Sequence, residues 1–265
     1  MSHSIAETFK QISKKKECAL VPFITAGDPD LDVTEKALKI LDEEGATMIE
    51  LGLPYSDSLA DGPVIQAAAA RALEQKVTII DIFDRIKLVI PTITTPIVIF
   101  TYYNLILSQG VEEFVVLVKS SGAKGLIVPD LPLEESEFLL KLCSEYSLEL
   151  ILLISPTSSV ERIKMIASKA KGCIYIVAGT GVTGFRTTVN TDIKYLIDTV
   201  KTFTSKPIII GFGISTPSQV ALVKSWGVDG VVLGSAFVNK LSNFVPERTL
   251  LDFKFFCKEI KQALI

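Results

Sequence analysis

Short apolar runs rich in β-branched residues recur along the chain, alternating with longer stretches whose apolar positions repeat every three or four residues. The runs predict strands at residues 20–25, 48–51, 97–101, 125–128, 150–154, 174–177, 208–211 and 230–233. A strand covered on both faces reads as a continuous apolar run, and most of these do. The helical pattern covers residues 32–44, 64–75 with 78–90, 111–120, 134–146, 160–169, 191–201, 217–225 and part of 246–264. One further helix, at 5–15, precedes the first strand. Eight strand-then-helix units predict an α/β chain, a (β/α)8 TIM barrel with an extra N-terminal helix. An open doubly wound sheet is the competing arrangement. The count of eight and the even composition favour the barrel, as one domain over residues 1–265.

Barrels of this kind carry their sites at the C-terminal ends of the strands. The segments just past each run are AGDPD, GLPYSDSLADG, YYN, PDLP, SPTS, AGTGVTG, FGIS and GSAF. Gly, Ser, Thr, Asp and Tyr crowd these ends and are sparse at the strand starts.

The second strand holds a carboxylate in its apolar run, Glu50 in "MIELG". Side chains alternate along a strand, so Met48, Glu50 and Gly52 share one face and Ile49 and Leu51 the other. The apolar pair suits the helix layer, which turns Glu50 into the barrel near its upper end. An isolated buried carboxylate raises its pKa or finds a partner. The bland reading is a Glu paired with an internal cation or the backbone. The functional one is a carboxyl tuned to both give and take a proton. Asp57 and Asp61 follow in the loop. Asp61 stands just before a helix pattern, so capping competes with a role towards a cationic group of a substrate.

Three glycine-rich segments, GTGVTG (179–184), GFGIS (211–215) and LGSAF (233–237), follow strands six, seven and eight. Backbone N–H groups in such loops cradle phosphate, and the last two loops of this fold do so often. A single glycine motif is as easily a turn. Three in consecutive positions point to a phosphorylated substrate.

Composition narrows the chemistry further. The chain has one histidine, His3, near the start, which leaves no Ser-His-Asp triad, Cys-His pair or histidine-rich metal site. Its 27 basic and 30 acidic residues nearly balance, and Lys14-Lys15-Lys16 is the longest basic run, so no nucleic-acid surface is indicated. Four scattered cysteines suit a reducing compartment. No apolar stretch approaches the ~18 residues of a membrane span. The basic-then-apolar stretch at 14–27 reads as a first strand rather than a signal peptide, and the N-terminus makes a poor transit peptide. Lys124, Lys171 and Lys206 precede strands, the wrong end for a Schiff-base lysine.

PFITAGDP (22–29), IELGLPYSDSLADGPVIQ (49–66), TYYN (101–104), VPDLPLEES (128–136), GTGVTG, GFGIS and GSAFV occur in this order over nearly the whole chain. Together they resemble the tryptophan synthase α subunit family. The resemblance implies retro-aldol cleavage of indole-3-glycerol phosphate to indole and glyceraldehyde 3-phosphate, with no cofactor and no metal. It implies Glu50 as the acid and base, and Asp61 as the carboxylate that stabilises the indole nitrogen. It places Phe23, Phe100, Ile127 and Tyr175 around the indole. Gly184, Gly213, Gly234 and Ser235 would hold the phosphate, with Thr183 in a loop that closes on the substrate. The implied partner is the tryptophan synthase β subunit in an α2β2 complex that receives indole, in the cytoplasm, or in the plastid stroma if the gene is plastid-encoded. A free-standing lyase and a weakly active subunit that mainly activates the β subunit are the alternatives. Two positions depart from the family pattern. Ser58 replaces a usual proline, which removes a φ restraint and leaves the loop freer. Ala178-Gly179 replaces a usual polar pair, which alters loop closure.

Overall fold

A computed structural model describes residues 4–177, 187–211, 213–242 and 244–265, with residues 187–191 described by backbone alone. The elements run α1 (Ile5–Lys15), β1 (Ala19–Thr25), α2 (Leu31–Glu43), β2 (Ile49–Gly52), α3 (Pro63–Glu74), α4 (Ile79–Val89), β3 (Ile97–Phe100) and α5 (Tyr103–Gln109). There follow α6 (Val111–Ser121), β4 (Gly125–Ile127), α7 (Glu137–Glu145), β5 (Glu149–Ile154), α8 (Val160–Lys169) and β6 (Ile174–Val177). The chain ends with α9 (Thr187–Phe203), β7 (Ile208–Gly211), α10 (Pro217–Ser225), β8 (Gly230–Leu233), α11 (Ser235–Ser242) and α12 (Arg248–Leu264). All eight strands pair in parallel in chain order, and β1 pairs with β8 to close the barrel. The eight-stranded barrel and the helix before it are as the residue pattern predicts.

Local chemistry starts and stops the helices. Ser4 and Glu7 form a capping box at α1, and Thr78 with Asp81 and Thr216 with Gln219 do the same at α4 and α10. Gly122, at φ 91°, ends α6 in the left-handed region where a side chain is strained.

Alternation along the strands sorts the core into two layers. Ile49, Leu51, Ile97, Ile99, Leu126, Leu150, Leu152, Ile174, Ile176, Ile208, Ile210 and Val231 meet the helices in one large cluster. Ala19, Val21, Met48, Val98, Ile127, Ile151, Cys173, Tyr175, Ile209 and Val232 fill the barrel in a second. That inner cluster also contains Ile5 and Phe9 of α1, both almost wholly buried. So α1 closes the lower end of the barrel. Gly125 makes room for it, since a Cβ there would lie 3.2 Å from Ile5 Cδ1 and far too close to the Glu149 carbonyl. Glu149, at the start of β5, accepts a hydrogen bond from the Ala6 N–H of α1 at 3.3 Å. The α1 N-terminus thus rests on a carboxylate, the charge it favours.

Candidate active site

Glu50 belongs to the inner face of β2, in register with Phe23 on β1 and Val98 on β3. It is 1 % exposed and accepts no hydrogen bond, and no cation acts on it among the described residues. Burial alone pushes its carboxyl up to about 8. Of the two readings of this residue, the paired structural Glu finds no partner here. Among the described residues, buried side-chain oxygens without a partner are those of Thr25, Glu50, Ser58, Thr101 and Glu149. All but Glu149 lie on β1–β3 or past their C-terminal ends, on one side of the barrel. Unsatisfied polar atoms are rare in folded proteins, and such a concentration marks a place built for something else to bind.

Asp61 lies in the loop between β2 and α3. It does not cap the helix: Gly62 is the N-cap, no side chain bonds there, and Pro63 supplies the first turn. Its Oδ2 instead accepts from the Tyr102 hydroxyl at 3.0 Å, and that hydroxyl accepts from the Ala60 N–H at 3.1 Å. Burial raises the Asp61 pKa, while Tyr102 and Ser58 lower it. Burial and the Asp61 charge push the Tyr102 hydroxyl well up, so it stays a donor at all ordinary pH. Tyr175, buried on β6, is raised by burial and by the charges of both Glu50 and Asp61. Tyr175 thus stands within electrostatic reach of both carboxyl groups, in the upper interior of the barrel.

Aromatic rings wall that space. Phe23 and Phe100 pack edge to face with centroids 5.4 Å apart, and Phe100 meets Tyr102 in the same way at 6.3 Å. Ile127 and Tyr175 line the barrel interior beside Phe100. Two glycines make this wall possible. A Cβ on Gly52 would come within 2.4 Å of the Phe23 ring, and one on Gly211 within 3.0 Å or less of Tyr175. A cavity of about 500 Å³ lies beside this space rather than over Glu50. It is lined by Pro129, Leu131, Leu153, Ser155 and Val177, with Ala60 at its edge.

Further round the rim, Gly213 follows β7 with φ at 49°, and a Cβ there would meet nothing within 4 Å among the described residues. Gly234 follows β8, and its missing Cβ would lie 3.8 Å from Phe23. The aromatic wall and the glycine loops are thus contiguous. Ser235 opens α11, whose first N–H groups carry the positive end of the helix dipole. Thr183, Gly184 and the Ala178-Gly179 departure lie outside the described residues.

The other chemistry-bearing groups lie away from the site. The Lys124 backbone N–H donates to the Ile97 carbonyl below β4, and the amines of Lys171 and Lys206 bond Ser144 and the Ala167 carbonyl. All four cysteines are free and buried, with thiols pushed up to about 12 or beyond.

A family model described as tryptophan synthase alpha chain matches residues 9–264. The chain belongs to the tryptophan synthase alpha chain family. Relatives of that name include one from Pyropia yezoensis, 51 % identical over 263 residues, covering 99 % of each chain. Another, from Synechocystis, is 52 % identical over 262 residues, again covering 99 % of each. A solved tryptophan synthase subunit alpha from Legionella pneumophila superposes with a TM-score of 0.89 at 31 % identity, covering 98 % of this chain and 97 % of that one. As a tryptophan synthase alpha chain, this protein is a lyase that cleaves indole-3-glycerol phosphate in tryptophan biosynthesis. Among the described residues, no helix is long and apolar enough to cross a membrane.

Proposed function

We propose that Glu50 and Asp61 carry the cleavage, and that the unpartnered, buried Glu50 carboxyl with its pKa near 8 is the observation that supports this most. Breaking the bond between the indole ring and the glycerol carbon would expel a poor carbanion. Protonating the ring carbon first turns the ring into an electron sink. Glu50, neutral at pH 7, gives that proton. Positive charge then appears on the indole nitrogen, where Asp61 stabilises it. Glu50, now ionised, takes the proton of the adjacent glycerol hydroxyl. The carbon–carbon electrons return to the ring, the aldehyde forms, and Glu50 is protonated again. No co-reactant is consumed.

This cycle starts from protonated Glu50, so kcat/KM for indole release should fall as pH rises through about 8. Its acid side should follow ionisation of Asp61. A stopped or coupled indole assay on the wild-type chain tests both. An activity that climbs steadily past pH 9 would reverse the assigned starting state of Glu50.

Phe23, Phe100, Ile127 and Tyr175 hold the indole, and Gly213, Gly234 and Ser235 hold the phosphate through backbone N–H groups. Thr183 and Gly184 complete the set by family pattern. A Cβ at Gly234 makes only ordinary contacts with Ile65 and Phe23. Gly234→Val should therefore fold and obstruct the phosphate. KM should rise roughly tenfold or more, about 1.4 kcal/mol of lost binding, with a smaller change in kcat. Unchanged inhibition by glycerol phosphate would place the phosphate elsewhere.

The natural assembly in this reading is an α2β2 complex with a tryptophan synthase β subunit. Leu59, on the loop that carries Asp61, leaves 91 % of its surface exposed at the rim, which suits a partner that covers it. The named relatives come from a red alga and from cyanobacteria. A plastid stroma or a bacterial cytoplasm fits either source. Turnover measured with and without the β subunit separates an obligate complex from a free-standing lyase.

A further inference from the structure

Ser58 sits on the loop after β2, where sequence alone suggests freedom, yet only 4 % of its surface is exposed. Its backbone is held as well. The Asp61 N–H donates to the Ser58 carbonyl at 3.1 Å, which closes a four-residue turn. The Gln66 side-chain amide then donates to the Ser58 carbonyl at 3.3 Å and to the Asp61 carbonyl at 3.0 Å. One side chain from α3 thus clips both ends of the turn. Inside it, the Ser58 hydroxyl is buried and makes no hydrogen bond of ordinary geometry. The Asp61 carboxylate has one oxygen, Oδ2, taken by Tyr102. The buried Ser58 hydroxyl and this carboxylate stand at the two ends of one turn.

We propose that Ser58 is a positioning residue for Asp61, its hydroxyl donating to Oδ1 while Tyr102 donates to Oδ2. The pair would hold the carboxylate towards the indole nitrogen at both oxygens. This rests on the role of Asp61 given above. The Ser58 hydroxyl already lies close enough to lower the Asp61 pKa against the rise that burial imposes. The groups that act on Asp61 or share its surroundings are Tyr102 past β3, Ser58 on the same loop and Tyr175 on β6, with Asp130 acting on Tyr102. None is a cation, so among the described residues the hydroxyl donors are the groups that oppose the rise burial imposes on this carboxyl. A proline in this position would make the turn without supplying the donor.

The test is the pH profile of kcat/KM for indole release by the full chain, with its β subunit, in wild type, Ser58→Ala, Ser58→Pro, Ser58→Thr and Asp61→Asn. Loss of a hydrogen bond to a charged group should move the acid limb up by about one pH unit in the Ala and Pro variants. Thr keeps the hydroxyl and should leave the limb where it is. Melting temperatures accompany each profile, and two hydroxyl-free variants keep the test usable if one misfolds. A merely structural Ser58 would change melting temperature without moving the limb, and that result overturns the proposal. If Asp61→Asn abolishes turnover while the Ala and Pro limbs overlay the wild type, Asp61 keeps its role and Ser58 loses its own. If Asp61→Asn retains full turnover, both roles fall together.

Discussion

Glu50→Gln should abolish indole release and leave the barrel folded. Gln keeps the shape and buried position of the side chain, but it has no proton to give and cannot take one. A single acid–base group is typically worth ~10²–10⁴ in rate. In the proposed cycle the same carboxyl serves in both proton transfers, so the loss should reach the upper end of that range. Stability should move the other way. The carboxyl's folded pKa, about 8, lies above its unfolded value of 4.5. The folded state therefore holds the proton more tightly. The stability this supplies is full below pH 4.5 and is lost as pH rises through 8, by ~1.4 kcal/mol for each unit in between. Gln is never ionised and escapes that loss. The variant should melt close to wild type at pH 4 and above it at pH 8. Thermal melts at the two pH values, beside an indole assay, check both halves. A variant that turns over normally would remove Glu50 from the mechanism.

Asp61→Asn should be the second most damaging change. Asn can still accept from Tyr102, so the loop between β2 and α3 should keep its place. What it lacks is the charge that the proposal sets opposite the indole nitrogen. Removing one group aimed at developing charge costs ~10²–10³ in kcat. Binding of the ground-state substrate, in which the nitrogen is neutral, should change little. Steady-state kinetics should thus show a large fall in kcat with KM nearly preserved. A fall in kcat of less than about threefold would mean that Asp61 is only part of the loop's structure.

Much of this site was legible in the residues because it depends on strict alternation. Met48, Glu50 and Gly52 had to face the same way, and the apolar Ile49 and Leu51 decided which way that was. Short helices were harder. The seven residues of α5 and the eight of α11 read as loop because neither is long enough to repeat an apolar stripe. In α11, Ala236, Phe237, Val238 and Leu241 are buried and Asn239 and Lys240 are exposed, too short a stretch for its two faces to repeat. Tyr102 was quoted within a motif, yet its bond to Asp61 spans 41 residues and no local pattern announces it. Gly52 and Gly211 are explained only by the rings of Phe23 and Tyr175 packed against them. Ser58 is the instructive case. Loss of a proline suggested a looser loop, while the structure buries the side chain and bonds its carbonyl twice. A backbone propensity describes the unfolded chain as much as the folded one, and here tertiary contacts decide.

The helix that stoppers the barrel has a bearing on traffic. With Ile5 and Phe9 lodged in the lower end, the vessel has a floor, and substrate and both products share the rim as their doorway. A shared doorway imposes an order of events: the first product to leave clears the way for the second, and new substrate enters by the same path. Whatever sits on the rim then governs arrival, retention and departure at once. A tenant there could lengthen the residence of an apolar product without touching Glu50 or any other reacting group.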